Sequence, residues 1–174
     1  MKLQGLGLID IAFNHWLKKH GFSARIYGAD TDFFWYHNDT ISYSFFFGEA
    51  SLNNWNLLLE ELGCNYDIDP FYSAFLHELG HSNTYRTFPT TIIRECERKH
   101  REICRNPNAC VPNPEYAYTH LPVEYEATRW AVNFINEHPD AVLELVELVG
   151  KAVRLFYRIN EIEDEELQDY LSDN

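Results

Sequence analysis

Residues 77–81 read His-Glu-Leu-Gly-His, a pentapeptide with two histidines four positions apart. On an α-helix, residues i and i+4 lie on the same face, so the imidazoles of His77 and His81 can bind one metal ion. Zinc fits best, because two neutral nitrogens and a carboxylate leave a fourth position open for water. The ion lowers the pKa of that water to about 7, and Glu78 can take its proton and later deliver it to a leaving amine. The pentapeptide therefore predicts metal-assisted amide hydrolysis.

The flanking residues predict that this pentapeptide lies inside an amphipathic helix. Asp69 followed by Pro70 is a typical helix start, with aspartate as the N-cap and proline at the first helical position. The apolar residues that follow recur at helical spacing: Phe71, Ala74, Phe75 and Leu79. Glycine in a helix interior costs about 1 kcal/mol relative to alanine, and the close approach of another backbone is one reason to keep Gly80.

Two histidines need a further ligand, which we expect in residues 122–135 because residues 82–86 contain no histidine. Pro122 begins this segment, and its apolar stripe is made of Val123, Ala127, Trp130, Ala131 and Phe134. At about 100° per residue, Glu124 lies about 60° from the centre of the stripe and Glu126 about 100° on its other side. A buried carboxylate needs a partner such as zinc. The pattern favours Glu124 as the ligand over Glu126. The alternative is that both are solvated carboxylates favoured by the helix dipole.

These segments resemble the ImmA/IrrE-type metallopeptidases of phages and mobile elements, and more broadly the gluzincins. The resemblance rests on Phe-Leu-His-Glu-Leu-Gly-His at 75–81 and Glu-Tyr-Glu-Ala-Thr-Arg-Trp-Ala at 124–131. It implies a zincin-like fold and a zinc peptidase whose metal ligands are His77, His81 and Glu124, with Glu78 as the catalytic base. By the same resemblance, Thr128 stands where the family has Asn or Asp. In the family that residue orients a zinc-bound histidine, and it accepts a hydrogen bond better than threonine does.

The remaining sequence predicts an α+β fold in which a small N-terminal sheet packs on helices, including the metal-binding helix and the Glu124 helix. Residues 22–28 are expected to form a strand, and residues 33–36 and 41–47 to form a hairpin (33–47) with one buried face. Further helices are expected at 7–20, 51–62, 90–104, 122–137 and 139–157. Residues 105–114 are rich in proline and asparagine and predict a loop.

Charge and hydropathy limit the function classes. The net charge is −13, and seven of the 27 acidic residues lie in residues 159–174, which contain no lysine or arginine. We therefore expect one domain over residues 1–158 and an acidic C-terminal tail over 159–174. No basic stripe favours direct nucleic-acid binding, and no apolar run is long enough to span a membrane. A cytoplasmic protein is expected.

Residues that assist catalysis are harder to place from sequence. A donor to the developing oxyanion is commonly a tyrosine or histidine, and the candidates are Tyr85, which follows the metal helix, and Tyr116, Tyr118 and His120, which are expected in a loop before residue 122. Peptide substrates of zincins typically pair with an edge strand, and residues 41–47 are the candidate.

The four cysteines are Cys64, Cys96, Cys104 and Cys110. Cys96, His100 and Cys104 share a helix face, but residues i and i+8 lie about 12 Å apart along the axis and cannot share one ion while the helix is intact. Two of them together with Cys110 could form a second zinc site, and a disulfide would require an oxidising compartment. Reduced structural thiols are the favoured interpretation.

Two function classes remain open. The first is a zinc-dependent metallopeptidase that hydrolyses a peptide bond in a protein partner through a water activated by Glu78. The second is a non-catalytic, zinc-stabilised acidic binding protein, for example a phage-type inhibitor of a nucleic-acid-handling enzyme. An intact Glu78 favours catalysis, because a structural zinc site needs no general base.

Overall fold

The computed structural model describes residues 6–28, 35–37, 39–43, 58–105 and 114–159. Its elements, in chain order, are α1 (Leu6–Lys19), β1 (Arg25–Gly28), β2 (Trp35–His37), β3 (Thr40–Tyr43), α2 (Pro70–Thr84), α3 (Thr90–Arg105), α4 (Pro114–Thr119), α5 (Pro122–Glu137) and α6 (Pro139–Ile159). A short 3₁₀ helix, Tyr85–Thr87, follows α2, and residues 58–61 are also helical. The described chain is thus mostly helical with one small sheet, which is compatible with the predicted α+β class.

The sheet has the strand order β1-β3-β2. β2 and β3 pair antiparallel, with Tyr36 opposite Ile41, as the hairpin prediction requires. β1 adds to the other side of β3 in parallel, with Ile26 opposite Ile41. The flanking residues 33–34 and 44–47 of the predicted hairpin lie outside the described residues.

The prediction that residues 41–47 form an edge strand is wrong for the part that is described. Residues 41–43 belong to β3, the central strand, and β2 lies at an edge of the sheet formed by the described residues. The prediction of one buried face is also wrong there, because Ser42 is buried together with Ile41 and Tyr43. Alternating hydrophobicity reports the two faces of a strand, but it carries no information about which strand pairs with it.

α1 connects the sheet to the helical part of the molecule. It packs against both β1 and α6. The carboxylate of Asp10 accepts hydrogen bonds from the Gly28 backbone N–H at 2.8 Å and from the Tyr43 hydroxyl at 3.0 Å. Phe13 and Trp16, both fully buried, lie in the main core. α1 therefore fixes the sheet against the core.

α2 begins where the sequence predicts, because the Asp69 side chain accepts a hydrogen bond from the Phe71 N–H at 2.8 Å and Pro70 is the first helical residue. The prediction of an amphipathic helix is wrong over its centre, however, because every residue from Tyr72 to His81 is buried. α5 covers one side of this stretch, and β2 and β3 contact α2 as well. Ser73, His77, Glu78 and His81 are consequently polar residues inside the core.

The other helices follow the predicted bounds within two residues, with one addition. Tyr116 and Tyr118 were expected in a loop, but they belong to α4, a short helix that begins at Pro114. Proline is favoured at the first helical position because it has no N–H to satisfy there. Residues 51–57, 106–113 and 160–174 lie outside the described residues, so the predictions for the first half of helix 51–62, the 105–114 loop and the acidic tail concern residues that are not described. Within the described ranges, no helix is long and apolar enough to cross a membrane.

Candidate metal centre

α2 and α5 bring four ionisable side chains together in the core. His77, Glu78 and His81 come from α2, Glu124 comes from the first turn of α5, and all four are buried. Glu124 Oε2 lies 3.2 Å from the Nε2 atom of His77 and 3.2 Å from that of His81. The two imidazole rings are 4.6 Å apart and nearly perpendicular. Two nitrogens and one carboxylate oxygen therefore point at a common position.

The two distances from Glu124 Oε2 to the imidazole nitrogens fit those between neighbouring ligands of a tetrahedral zinc site. With metal–ligand distances of about 2.0–2.1 Å, neighbouring ligands in a tetrahedron are about 3.3 Å apart. The two distances from Glu124 to the histidines are both 3.2 Å. The chemistry of the set also fits, since two imidazoles and one carboxylate are a ligand set that zinc uses when the fourth position is left open. His77, His81 and Glu124 could therefore hold the ion.

Thr128 fixes the orientation of His77. Its hydroxyl donates to the backbone carbonyl of Glu124 at 3.0 Å, and its oxygen lies 3.0 Å from His77 Nδ1. A hydroxyl proton can be donated only once, so the oxygen accepts from Nδ1–H, and the Nε2 lone pair of His77 faces Glu124. Burial lowers the pKa of His77, although the neighbouring Glu124 carboxylate opposes this. A neutral imidazole and a carboxylate that face each other in this way are complementary to a cation between them.

The electrostatics of the cluster keep Glu124 ionised. Burial raises the pKa of its carboxyl group, but the interactions with His77 and His81 outweigh burial and lower it well below its ordinary value. Burial lowers the pKa of His81, whereas the hydrogen bond to Glu124 and the charges of Glu124 and Glu78 raise it, and the balance is a raised pKa. A carboxylate is the form that binds a metal, so Glu124 is held in its ligating state.

Glu78 lies beside the ligand set. Its Oε1 atom is 4.0 Å from His77 Nε2, and one ligand atom each of His77, Glu78 and His81 lies within 4.8 Å of the others. By distance alone, Glu78 could be counted as a ligand. Glu124 fits the ligand position better, because a single oxygen contacts both imidazoles at 3.2 Å. Glu78 is then a second carboxylate beside the two histidines.

Gly80 permits the close packing that places Glu124 over the two histidines. A Cβ atom at this position would lie 2.4 Å from the Ala127 carbonyl oxygen and 3.0 Å from its carbonyl carbon. These are backbone atoms of α5, so no side-chain rotation can relieve the contact. The expectation that Gly80 is kept for the approach of another backbone is confirmed, and Ala127 and Ala131 are the small, fully buried residues on the α5 side.

The alternative ligand Glu126 lies away from the cluster. Its carboxylate pairs with Arg129 at 2.5 Å on the same helix, and it is more exposed than Glu124. The angular positions of the two glutamates relative to the apolar stripe of α5 therefore predicted correctly that Glu124, and not Glu126, lies beside the histidines.

Of the four candidates for an oxyanion donor, the structure brings Tyr85 to the cluster. Its ring lies 6.3 Å from that of His81 and nearly perpendicular to it. Its hydroxyl donates to Glu97 Oε1 on α3 at 3.2 Å. Burial and Glu97 raise the pKa of Tyr85 to about 12, so the phenol keeps its proton. Glu97 could not be singled out from the sequence, because it lies in a run of exposed charged residues.

The other candidates lie elsewhere. Tyr118 packs against His100 and the small core cluster around Cys96, Leu121 and Val123. His120 contacts the Tyr125 ring and lies 3.8 Å from Glu61. The side chain of Tyr116 lies outside the described residues.

Among the residues that the structure describes, the cysteines do not form a second metal site. Cys96 is buried among Leu121 and Val123, whereas His100 is exposed and packs on Tyr118. Within the described residues, His77, Glu78 and His81 are the group of three that meets the distances for metal binding. Cys64 and Cys96 are free thiols, as the preferred interpretation expects, and Cys110 and the side chain of Cys104 lie outside the described residues.

Comparison of the chain with models of protein families, with curated proteins and with solved structures finds no match in any of the three.

Proposed function

We propose that this chain is a zinc-dependent metallopeptidase of the gluzincin type, with a zincin-like fold, that hydrolyses a peptide bond of a protein partner. The observation that carries the proposal is the position of Glu124 Oε2, 3.2 Å from both His77 Nε2 and His81 Nε2, with Glu78 beside them. The resemblance of residues 75–81 and 124–131 to ImmA/IrrE-type metallopeptidases agrees with it. A cytoplasmic location remains a prediction from sequence.

His77, His81 and Glu124 would hold the ion, and zinc, when bound, would act as a Lewis acid and lower the pKa of a water molecule to about 7. The residues of the chain perform the proton transfers. Glu78 accepts the proton of the attacking water and delivers it to the nitrogen of the leaving amine, which completes the exchange of a C–N bond for a C–O bond. Its buried position supports this role, because few waters compete for its carboxylate.

Tyr85 is proposed as the donor to the developing oxyanion. Its ring contacts that of His81, and its hydrogen bond to Glu97 holds the hydroxyl at the border of the cluster. A phenol with a pKa of about 12 stays protonated at neutral pH and can donate. The hydroxyl would exchange Glu97 for the substrate oxygen as negative charge develops there.

A peptide substrate is proposed to pair with β2. This strand bonds to β3 on one side, and no other described strand pairs with its opposite side. β2 also contacts α2, the helix that carries His77 and His81. Backbone pairing along β2 would present an extended peptide to the cluster without requiring a particular side chain.

The test combines metal analysis with a cleavage assay on a proteome-derived peptide library. The purified chain should hold one zinc ion and create new peptide termini. Glu78→Gln should keep the zinc and the fold but lower the rate by about 10²–10⁴, the usual cost of removing a general base. Glu124→Gln should lose zinc, and Glu126→Gln is the matched control because it makes the same change on the same helix outside the cluster.

Each outcome has a distinct meaning. Absence of bound zinc would contradict the metal site itself. Bound zinc without cleavage of any peptide would favour the non-catalytic binding protein. Cleavage that survives Glu78→Gln unchanged would contradict the role of Glu78 as the base.

A further inference from the structure

A cavity lies on a different side of α5 from the metal centre. Its volume is about 520 Å³, which is in the range of small-molecule sites. It is lined by His20, Phe22, Trp130, Asn133, Phe134, Glu137, His138 and Ala141. At about 100° per residue, Trp130, Asn133, Phe134 and Glu137 lie more than about 60° around the helix from Glu124 and Thr128. The cavity is therefore separate from the cluster described above.

Aromatic rings form two walls of this cavity at a steep angle to each other. Trp130 and Phe134 are stacked, with ring centres 5.3 Å apart and planes inclined by 17°. Phe22 stands across them, at 79° to Trp130 and 63° to Phe134, with centres 5.9 and 5.7 Å away. The faces of aromatic rings carry negative potential and attract cations. At these distances the rings contact one another, and Phe22 also stacks on Trp16, so a cation would meet the parts of the three rings that line the cavity.

The polar residues of the lining also favour positive charge. Glu137 supplies a carboxylate, and no lysine or arginine is among the described residues of the lining. Within the described part of the chain, no lysine or arginine forms an ion pair with Glu137. Glu137 would repel an anion. The start of α6 also provides few backbone N–H donors for one, since Pro139 has no N–H and the amides of Ala141 and Val142 donate to the His138 carbonyl.

The number of acceptors decides which cation fits. An ammonium group has three N–H donors and a guanidinium five, and each needs an acceptor when it leaves water. Glu137 and Asn133 are the carboxylate and amide acceptors of the lining, and both are exposed at its border. A methylated ammonium has few or no donors and is weakly hydrated, so aromatic faces and one carboxylate satisfy it.

We infer that the cavity formed by Phe22, Trp130, Phe134 and Glu137 binds a methylated ammonium group. The group can belong to a free quaternary amine or to a methylated lysine of a protein. This site requires neither zinc nor the peptidase activity proposed above, so its test is independent of that proposal.

The test compares two probes of nearly the same shape by saturation-transfer NMR and calorimetry on the full chain. Choline carries a quaternary ammonium, and 3,3-dimethylbutan-1-ol has the same branched end without charge. Choline should bind about 2- to 30-fold more tightly, the range expected from cation–π attraction. Equal binding of the two probes would overturn the inference, because it would mean that the cavity accepts apolar groups regardless of charge.

Variants locate the site. Trp130→Leu should weaken choline binding by about tenfold or more, with the thermal midpoint measured alongside to register any effect on folding. Glu137→Lys is the second variant, since Glu137 is exposed and its replacement leaves the core intact; it should abolish choline binding. Glu147→Lys is the matched control, because Glu147 is an exposed glutamate of α6 that pairs with Lys151 outside the cavity.

If Glu137→Lys binds choline as the wild type does, the inference is wrong. A short peptide with trimethyllysine separates the two sources of the cation. Tighter binding of the peptide than of choline would assign the site to a protein side chain, and tighter binding of choline would assign it to a free amine; both results support the cation site.

Discussion

Gly80→Ala is the substitution that tests most directly how the site is assembled. The added Cβ would lie 2.4 Å from the Ala127 carbonyl oxygen, about 1 Å short of ordinary van der Waals contact. Because the opposing atoms are backbone, α2 and α5 must separate by a similar amount. Glu124 moves with α5, so its oxygen would leave the 3.2 Å positions from which it contacts His77 and His81.

Two effects on stability compete in this variant. Alanine gains about 1 kcal/mol over glycine in a helix interior, whereas overpacking a close-packed core costs about 1–3 kcal/mol. We expect overpacking to win, with a net loss of up to about 2 kcal/mol. Zinc affinity should fall by on the order of 10- to 100-fold, as is typical when the support of a metal ligand is lost.

Gly150→Ala on α6 is the matched control. A Cβ there would meet Tyr72 Oη at 3.4 Å and Arg154 Nη1 at 3.5 Å, which are side-chain atoms at ordinary contact distance. The same chemical change should therefore stabilise the protein, by about 1 kcal/mol. Urea unfolding with and without a chelator measures stability, and competition with a chromophoric chelator measures zinc affinity. If Gly80→Ala stabilises the chain as Gly150→Ala does and binds zinc normally, close packing at Gly80 does not hold the site together.

Further substitutions probe individual contacts. Thr128→Val removes the acceptor of His77 Nδ1 and should weaken zinc binding by about 10- to 100-fold in the same competition assay, whereas Thr128→Ser should retain most of the affinity. In the metal-free protein the pKa of Glu124 lies below its ordinary value of 4.5, so ionised Glu124 stabilises the fold above that pH, and this contribution is lost as the pH falls further. The urea midpoints of wild type and Glu124→Gln should therefore converge in acid. Parallel profiles of the two proteins against pH would contradict this assignment. Tyr85→Phe should keep zinc and lower kcat by about 10²–10³ with little change in KM, and an unchanged kcat would remove Tyr85 from the mechanism.

Local signals predicted the parts of the site that depend on helix periodicity. Asp69 and Pro70 gave the start of α2, and the position of Glu124 relative to the apolar stripe of α5 placed it, rather than Glu126, beside the histidines. Gly80 indicated a close approach and Ala127 is the residue that approaches. In each case the spacing within one helix contains the information, because side chains three or four apart share a face.

Features that depend on contacts between distant segments were not predictable in the same way. The parallel pairing of β1 with β3 joins strands that are not neighbours in the chain, and it turned the expected edge strand into the central one. The centre of α2 is buried on all sides because other segments of the chain cover it. The periodicity of α2 contains no information about those segments, so it indicated an amphipathic helix. The contact of Tyr85 with Glu97 depends on how α3 turns back after the 3₁₀ helix, for which the exposed charges of α3 give no signal.

The first two turns of α5 combine three tasks that are usually spread over several segments. Glu124 contributes the carboxylate, Ala127 leaves room for the Gly80 backbone, and Thr128 fixes His77. The tasks are coupled, because the Thr128 hydroxyl donates to the carbonyl of Glu124 and is thereby left with its oxygen to accept from His77. Thr128 can therefore orient the imidazole of His77 as a carboxylate or amide would. Its hydroxyl proton is donated to a backbone carbonyl of the same helix, so its oxygen acts toward His77 only as an acceptor. Substitutions on the two sides of this contact should consequently be non-additive: Thr128→Val on α5 combined with Gly80→Ala on α2 should cost less zinc affinity than the sum of the two single changes, because each disrupts the same contact between the helices.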